Sequence, residues 1–465
     1  MRPKMKLQMT TEDYEFLSVG HLFREDPELE KMSAALDEAP EILEAVADDL
    51  RGGLKETGAE GMSVEQVLRS ALIYQLKCYS YRELAHRLGS DYNFRKFTRF
   101  YGREIPSFTN LERAIKRIRP QTVERINDLL VKLAIKKNLE DGESIRGDTT
   151  VAETNIHHPT DASLLWDSVR VLDRLMSGAR EELPRCEFKY HDRTRRAKKR
   201  AYQITMGKGK EIEKKRAKWY RDLLKVSIEV VEMARAAREA LDKALENKEL
   251  HYGDANLAAF IKRELDHYLP LAEQCLRQCE RRVREGERVP AQEKIVSIFE
   301  PHTDIICRGK TMSPTEFGHK VMAVTGKSGL VLQYKVCEGN PPDSDLFEGI
   351  LQKHLEQFGQ GPREFTGDRR FYHKDNEKLA ADERYQVERL AIPKPGRRSS
   401  ERVEFERQRW FKKLLRFRAG IEGGLSTLLR CFGLGRCLWR GFESFKSWVG
   451  LSFFAWNLRK LAALT

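Results

Sequence analysis

The sequence predicts an α/β protein: a mixed-sheet core interrupted by a large helical insertion and preceded by an all-helical region. Three observations carry that expectation. Amphipathic helical spacing runs through the first 138 residues, and threonine- and valine-rich stretches then alternate with short helices. Between the first of those stretches and the rest lies a charge-dense helical block at about 161–288. At 465 residues the chain exceeds one ordinary hydrophobic core. The expected division is a helical domain at 1–138, a core at 139–433 containing the insertion, and a helical segment at 434–465.

The elements follow in order. Acidic and apolar residues alternate at helical spacing over 25–52, and SVEQVLRSALIYQLKCYSYRELAHRL continues the pattern over 63–88. Pro106-Ser107 precedes a helix whose cap falls at Thr109 or Asn110. Such a module suits docking in a DNA groove or subunit pairing, and composition does not separate the two uses. ESIRGDTTVAETNI then reads as one or two short strands. Within the insertion, residues 191–220 hold twelve Lys or Arg against three acidic residues. That block, with Arg195, Arg196, Lys198 and Lys199, is either a DNA-backbone surface or a solvated helical face.

Strands resume at IVSIFEPHTDIICRG and continue through GHKVMAVTGKSGLVLQYKV, where GKSG makes a hairpin turn. DSDLFEGILQKHLEQFG reads as helix, PREFTGDRR as a short strand ending in an aspartate, DNEKLAADE as helix and QVERLAIP as strand. The linker PKPGRRSS opens onto a helix bearing Glu422.

The formal net charge of +13 favours a polyanionic partner. Eight cysteines form no disulfide ladder and no C-x-x-C pair, which fits a reducing compartment, and Cys275 and Cys279 read as packing residues one helical turn apart. MRPKMKLQMTTEDYEF has no apolar run suited to a signal peptide. WVGLSFFAWNL is about half the length that spans a bilayer and reads as a buried helix, with Trp448 and Trp456 in the core.

Three carboxylates are candidates for chemistry. Asp148 in IRGDTTV and Asp368 in EFTGDRRFY both fall at expected strand ends, where ligands gather in open α/β sheets. An aspartate there also serves as a cap or turn former. Glu422 lies on a helix beside Gly423 and Gly424, which weaken the helix and remove bulk. Arg418 precedes it by one turn and Arg430 follows by about two. Both arginines suit phosphate contact or simple pairing with Glu422.

Taken together, these segments resemble a bacterial insertion-sequence transposase with an Asp-Asp-Glu catalytic triad on a ribonuclease-H-like fold. The resemblance rests on SVEQVLRSALIYQLKCYSYRELAHRLGSDYNFRKF, on TNIHHPTDASLL after Asp148, on FGHKVMAV, on CEGNPPDSDLF, on TGDRRFYHKDNE around Asp368, and on RAGIEGGLSTLLRCFGLGRCLWRG around Glu422. It implies a DNA transposase in which Asp148, Asp368 and Glu422 are catalytic and hold two Mg²⁺ ions, with Mn²⁺ able to substitute. It implies that Arg418 and Arg430 steady phosphates, that His319 and Lys320 contact DNA, and that Asn340, Asp343 and Ser344 border the site. Terminal inverted repeats and target DNA are the implied partners. A homodimer or higher multimer working in the cytoplasm, associated with the nucleoid and not with membrane, is also implied. His157 and His158 read as structural, because hard divalent ions prefer oxygen. A transposase-derived DNA binder without catalysis and a structure-selective nuclease are the competing readings.

Overall fold

The computed structural model describes residues 20–52, 61–207, 209–247, 250–307 and 315–465. The opening stretch judged against a signal peptide and part of the basic block therefore lie outside the described residues. Contacts divide the chain into two units, one made of residues 1–154 and 318–465, the other of 155–317.

Among the described residues, the α-helices at the start of the first unit are α1 (Pro27–Asp37), α2 (Pro40–Arg51), α3 (Val64–Lys77), α4 (Tyr81–Ser90), α5 (Tyr92–Phe97), α6 (Phe108–Ile115) and α7 (Pro120–Lys136). Local chemistry sets their starts. Asp26 caps α1, and Ser63 and Gln66 form a reciprocal capping box on α3. Ser107 caps α6, two or three residues earlier than the sequence suggested, because its hydroxyl accepts the Asn110 amide. Arg69 on α3 is buried among Glu65, the Asp37 carboxylate, the Ser33 hydroxyl and the Phe97 carbonyl, and so ties α1, α3 and α5 together.

β1 (Ser144–Thr154) follows, and the chain then leaves for the second unit. That unit is built on the helices α8 (Asp161–Glu182), α9 (Thr194–Met206), α10 (Lys210–Glu246) and α11 (Tyr252–Val283), with β2 (Asp304–Cys307) near its end. Its apolar faces close a core of their own, including Leu165, Leu172, Leu223, Val230, Leu265 and Cys279. Cys275 and Cys279 are buried in it, and desolvation pushes both thiols up to about 12, as packing residues require.

The chain returns along β3 (Thr315–Thr325) and continues through β4 (Val331–Val336), α12 (Phe347–Phe358), β5 (Glu364–Gly367), α13 (Lys374–Ala380), β6 (Arg389–Ala391), α14 (Ser400–Arg407), α15 (Arg409–Cys431), β7 (Arg436–Cys437) and α16 (Phe442–Leu464). In this unit the sheet order is β4-β3-β1-β5-β6, with β7 beside the end of β1. β3 is antiparallel to β1 and β4, whereas β5 and β6 run parallel to β1. This mixed sheet with helices packed on it is a ribonuclease-H-like core.

The expected buried C-terminal helix is α16. It packs against α1, α3 and α7, and Trp448 and Trp456 are buried. Its Asn457 is fully buried and satisfied by the Val331 backbone and the Asn127 side chain. Among the described residues no helix is long and apolar enough to cross a membrane.

Candidate active site

Asp148 lies in the middle of β1, opposite Ala323 of β3, and not at a strand end as the sequence suggested. β1 extends past it because β3 pairs as far as Glu153 and β7 pairs with Glu153 and Thr154. What does end there is the parallel neighbour. β5 pairs with β1 from Ser144↔Glu364 to Gly147↔Gly367, so the next residues along are Asp148 and Asp368. The two aspartates thus stand level on adjacent parallel strands at the carboxyl end of β5, where the sheet opens. Asp368 is also a turn former: its carboxylate accepts the Arg370 amide at 2.7 Å and caps the turn Arg369–Phe371.

The third carboxylate arrives on α15, which packs across β1, β5 and β6. Phe411, Leu414, Ile421, Leu425 and Leu428 form its buried face, which leaves Glu422 60% exposed on another face. Arg418, one turn earlier, joins the acids. Its Nη2 lies 2.7 Å from Glu422 Oε1 and its Nη1 lies 3.6 Å from Asp148 Oδ2. Burial pushes the Asp148 carboxyl up to about 6. The Thr149 amide, which donates to it at 2.7 Å, opposes the rise, as does Arg418, while the Asp368 and Glu422 charges add to it. The three carboxylates therefore share one electrostatic neighbourhood.

The glycines of α15 differ in their surroundings. A Cβ at Gly423 would meet nothing within 4 Å, and one at Gly424 only Trp456 at an ordinary 3.7 Å. Gly420 is the position under constraint. A Cβ there would lie 2.2 Å from Arg146 Nη1, the group that donates to the Phe417 carbonyl and anchors α15 to β1.

Chemically the acids suit a hard divalent ion, since every donor is oxygen and a cation would offset the crowding of like charge around Asp148. Arg418 stands between two of them, Asp148 and Glu422. Among the described residues no group of three or more His, Cys, Asp or Glu is drawn together as a metal cluster.

His319 and Lys320 are not DNA-facing groups, because both are buried. Lys320 Nζ lies 2.7 Å from Asp343 Oδ1 and 2.6 Å from the Pro341 carbonyl, and Asp343 Oδ2 accepts the Thr149 hydroxyl at 2.9 Å. This buried network holds the loop before α12 against β1 next to Asp148, so Asp343 braces the strand. His319 packs on Phe442 and Phe445. Arg430 is exposed and donates to the Ser426 carbonyl of its own helix.

In the second unit the basic residues of α9 divide by face. Arg196 and Arg200 pair with Asp222 of α10 and hold the two helices together. Arg195 and Lys198 are exposed beside a groove shared with Arg170 and Arg174 of α8, and Lys199 is exposed as well. His157 lies 3.5 Å from Asp167 and His158 packs edge-on to Phe317, both structural contacts.

Sequence reasoning missed His354 of α12. Its ring nitrogens lie 2.9 Å from the carbonyls of Gly142 and Gln360, which lead into β1 and β5. One side chain thus links the approaches to both aspartate-bearing strands. A histidine in an amphipathic helix carries no signal of partners so distant in sequence.

Two family models match the chain. One, described as a transposase DDE domain, covers residues 308–458 and so includes Asp368 and Glu422; the other, a transposase domain (DUF772), covers residues 17–117. The chain belongs to the insertion-sequence transposases of the DDE type. Asp148 of this transposase lies outside both matched spans, so its place at the site rests on the register of β1 with β5. No curated protein and no solved structure matches the transposase significantly.

Proposed function

We propose that this transposase binds the terminal inverted repeats of its own element as double-stranded DNA, and cleaves and transfers strands at Asp148, Asp368 and Glu422. The observation carrying this reading is the β1–β5 register, which sets the two aspartates level beneath a helix whose Glu422 is linked to Asp148 through Arg418. In cleavage a water oxygen bonds to phosphorus, the P–O3′ bond breaks, and the leaving oxygen takes a proton. In joining, the freed 3′-hydroxyl loses its proton and attacks a target phosphate, whose own P–O3′ bond breaks. Both are in-line displacements of one geometry, so one site serves both steps.

The three carboxylates would hold two Mg²⁺ ions, or Mn²⁺ in their place. When bound, such ions supply Lewis acidity to the attacking and leaving oxygens. Arg418 and Arg430 meet phosphates along the exposed side of α15, where Gly423 leaves the helix surface bare. Arg195, Lys198 and Lys199 add sequence-independent backbone contacts. Two element ends must be brought together, which calls for a homodimer or larger assembly, acting in the cytoplasm at the nucleoid.

The test is cleavage and joining of an end-bearing duplex by wild type and Asp368→Asn, each with Mg²⁺ or with EDTA. Magnesium-dependent nicking and joining, lost in the variant while DNA binding persists, is the expected result. Joining that survives the substitution removes Asp368 from the chemistry. End-specific binding by wild type with no cleavage in Mg²⁺ or Mn²⁺ selects a DNA binder without catalysis, and cleavage without joining selects a nuclease.

A further inference from the structure

We infer that Arg418 is the resident counter-cation of the carboxylate site, so that a divalent ion enters only by displacing it and thereby frees its guanidinium for DNA phosphate. The inference rests on the triad reading above. It deepens that reading by assigning one residue two successive anionic partners.

The geometry is that of an occupied gap. Arg418 contacts Glu422 at 2.7 Å through one nitrogen and approaches Asp148 to 3.6 Å through the other, so a planar guanidinium lies between the two acids. Mg²⁺ requires oxygen donors at about 2.0–2.1 Å in near-octahedral array, and ligands held that close leave no room for an arginine between them. The charges make the same case. Two carboxylates contact one guanidinium while the Asp368 charge acts on Asp148 beside them, and no other basic side chain is paired with Asp148 or Glu422 among the described residues. Arg146, two residues before Asp148 on β1, is committed to the Phe417 carbonyl and the Thr325 hydroxyl.

Displacement is feasible because Arg418 is not fully enclosed. It pairs with these two acids, retains 21% exposure, and lies five residues before the bare surface at Gly423. Once the acids turn to a metal, the guanidinium loses both partners, and a phosphate on that surface is the anion at hand. Metal loading and phosphate capture are therefore coupled, and by linkage the coupling runs both ways.

Mn²⁺ binding to the full-length protein without DNA tests this, with free Mn²⁺ followed by electron paramagnetic resonance. Arg418→Ala and Arg418→Gln should each bind Mn²⁺ about five- to tenfold more tightly than wild type, because the competing cation is gone. Affinity that is unchanged or weaker in both variants overturns the counter-cation role. Asp148→Asn and Glu422→Gln separate the two layers of the argument. If they lose Mn²⁺ binding while the arginine variants behave as wild type, only the displacement proposal falls. If they bind Mn²⁺ as wild type does, the carboxylate site itself is refuted.

Discussion

Asp148 shows how one residue can be expensive to fold and useful once folded. Its carboxyl is largely buried, close to two other acids, and raised from an ordinary value of 3.8 to about 6. A carboxyl whose folded pKa lies above its unfolded one binds its proton more tightly in the folded chain. The group therefore costs stability above pH 6, and that cost fades as the pH falls toward 4. Asp148→Asn removes the ionisable group while keeping the shape. In the metal-free protein it should raise stability at pH 8 by about 3 kcal/mol, with the gain vanishing near pH 4. Urea denaturation of both proteins at the two pH values measures it. A gain that is equal at both pH values, or absent at pH 8, would show that burial and like charge do not act on this carboxyl as argued.

At the scale of elements, the site depends on two parallel strands holding one register, and much of what holds them could not be read in the sequence. Strand and helix types were legible because their signals are local. GKSG marks the β3–β4 turn, Pro393 and Pro395 close β6, and apolar periodicity marks α15. The ends of pairing were not, since period-two alternation does not say where a neighbouring strand stops, and Asp148 was accordingly placed at the end of β1. Lys320 looked like a surface cation because its partner Asp343 comes 23 residues later. His354 is the clearest case, with one partner 212 residues away. Replacing it with alanine leaves the Gly142 and Gln360 carbonyls without that ring and empties the space stacked on Phe358. The expected loss is about 2–4 kcal/mol, with partial recovery in His354→Gln, whose amide still donates. An unchanged denaturation midpoint in His354→Ala would mean that the strands keep their register by other means.

For the molecule as a whole, the connection between the units matters most. The insertion leaves after β1 and returns into β3, and those strands are antiparallel neighbours in which Glu153 pairs with Gly318. Its two ends are thus adjacent in the ladder, and residues 155–317 have a hydrophobic core of their own. A domain attached at one edge by neighbouring strands is removable in principle, because a short glycine-containing turn can rejoin the ladder without moving either strand. A chain in which such a turn replaces 155–317 should therefore melt cooperatively and bind Mn²⁺ as wild type does, since Asp148, Asp368 and Glu422 all belong to the unit that remains. Its DNA affinity should fall. With Arg195, Lys198 and Lys199 gone, the slope of log affinity against log salt should become shallower by about 3, close to one per lost phosphate contact. A folded deletion chain with an undiminished salt slope would assign the basic face of α9 to solvent. Loss of cooperative melting would show that the sheet needs the insertion for more than its chain connection.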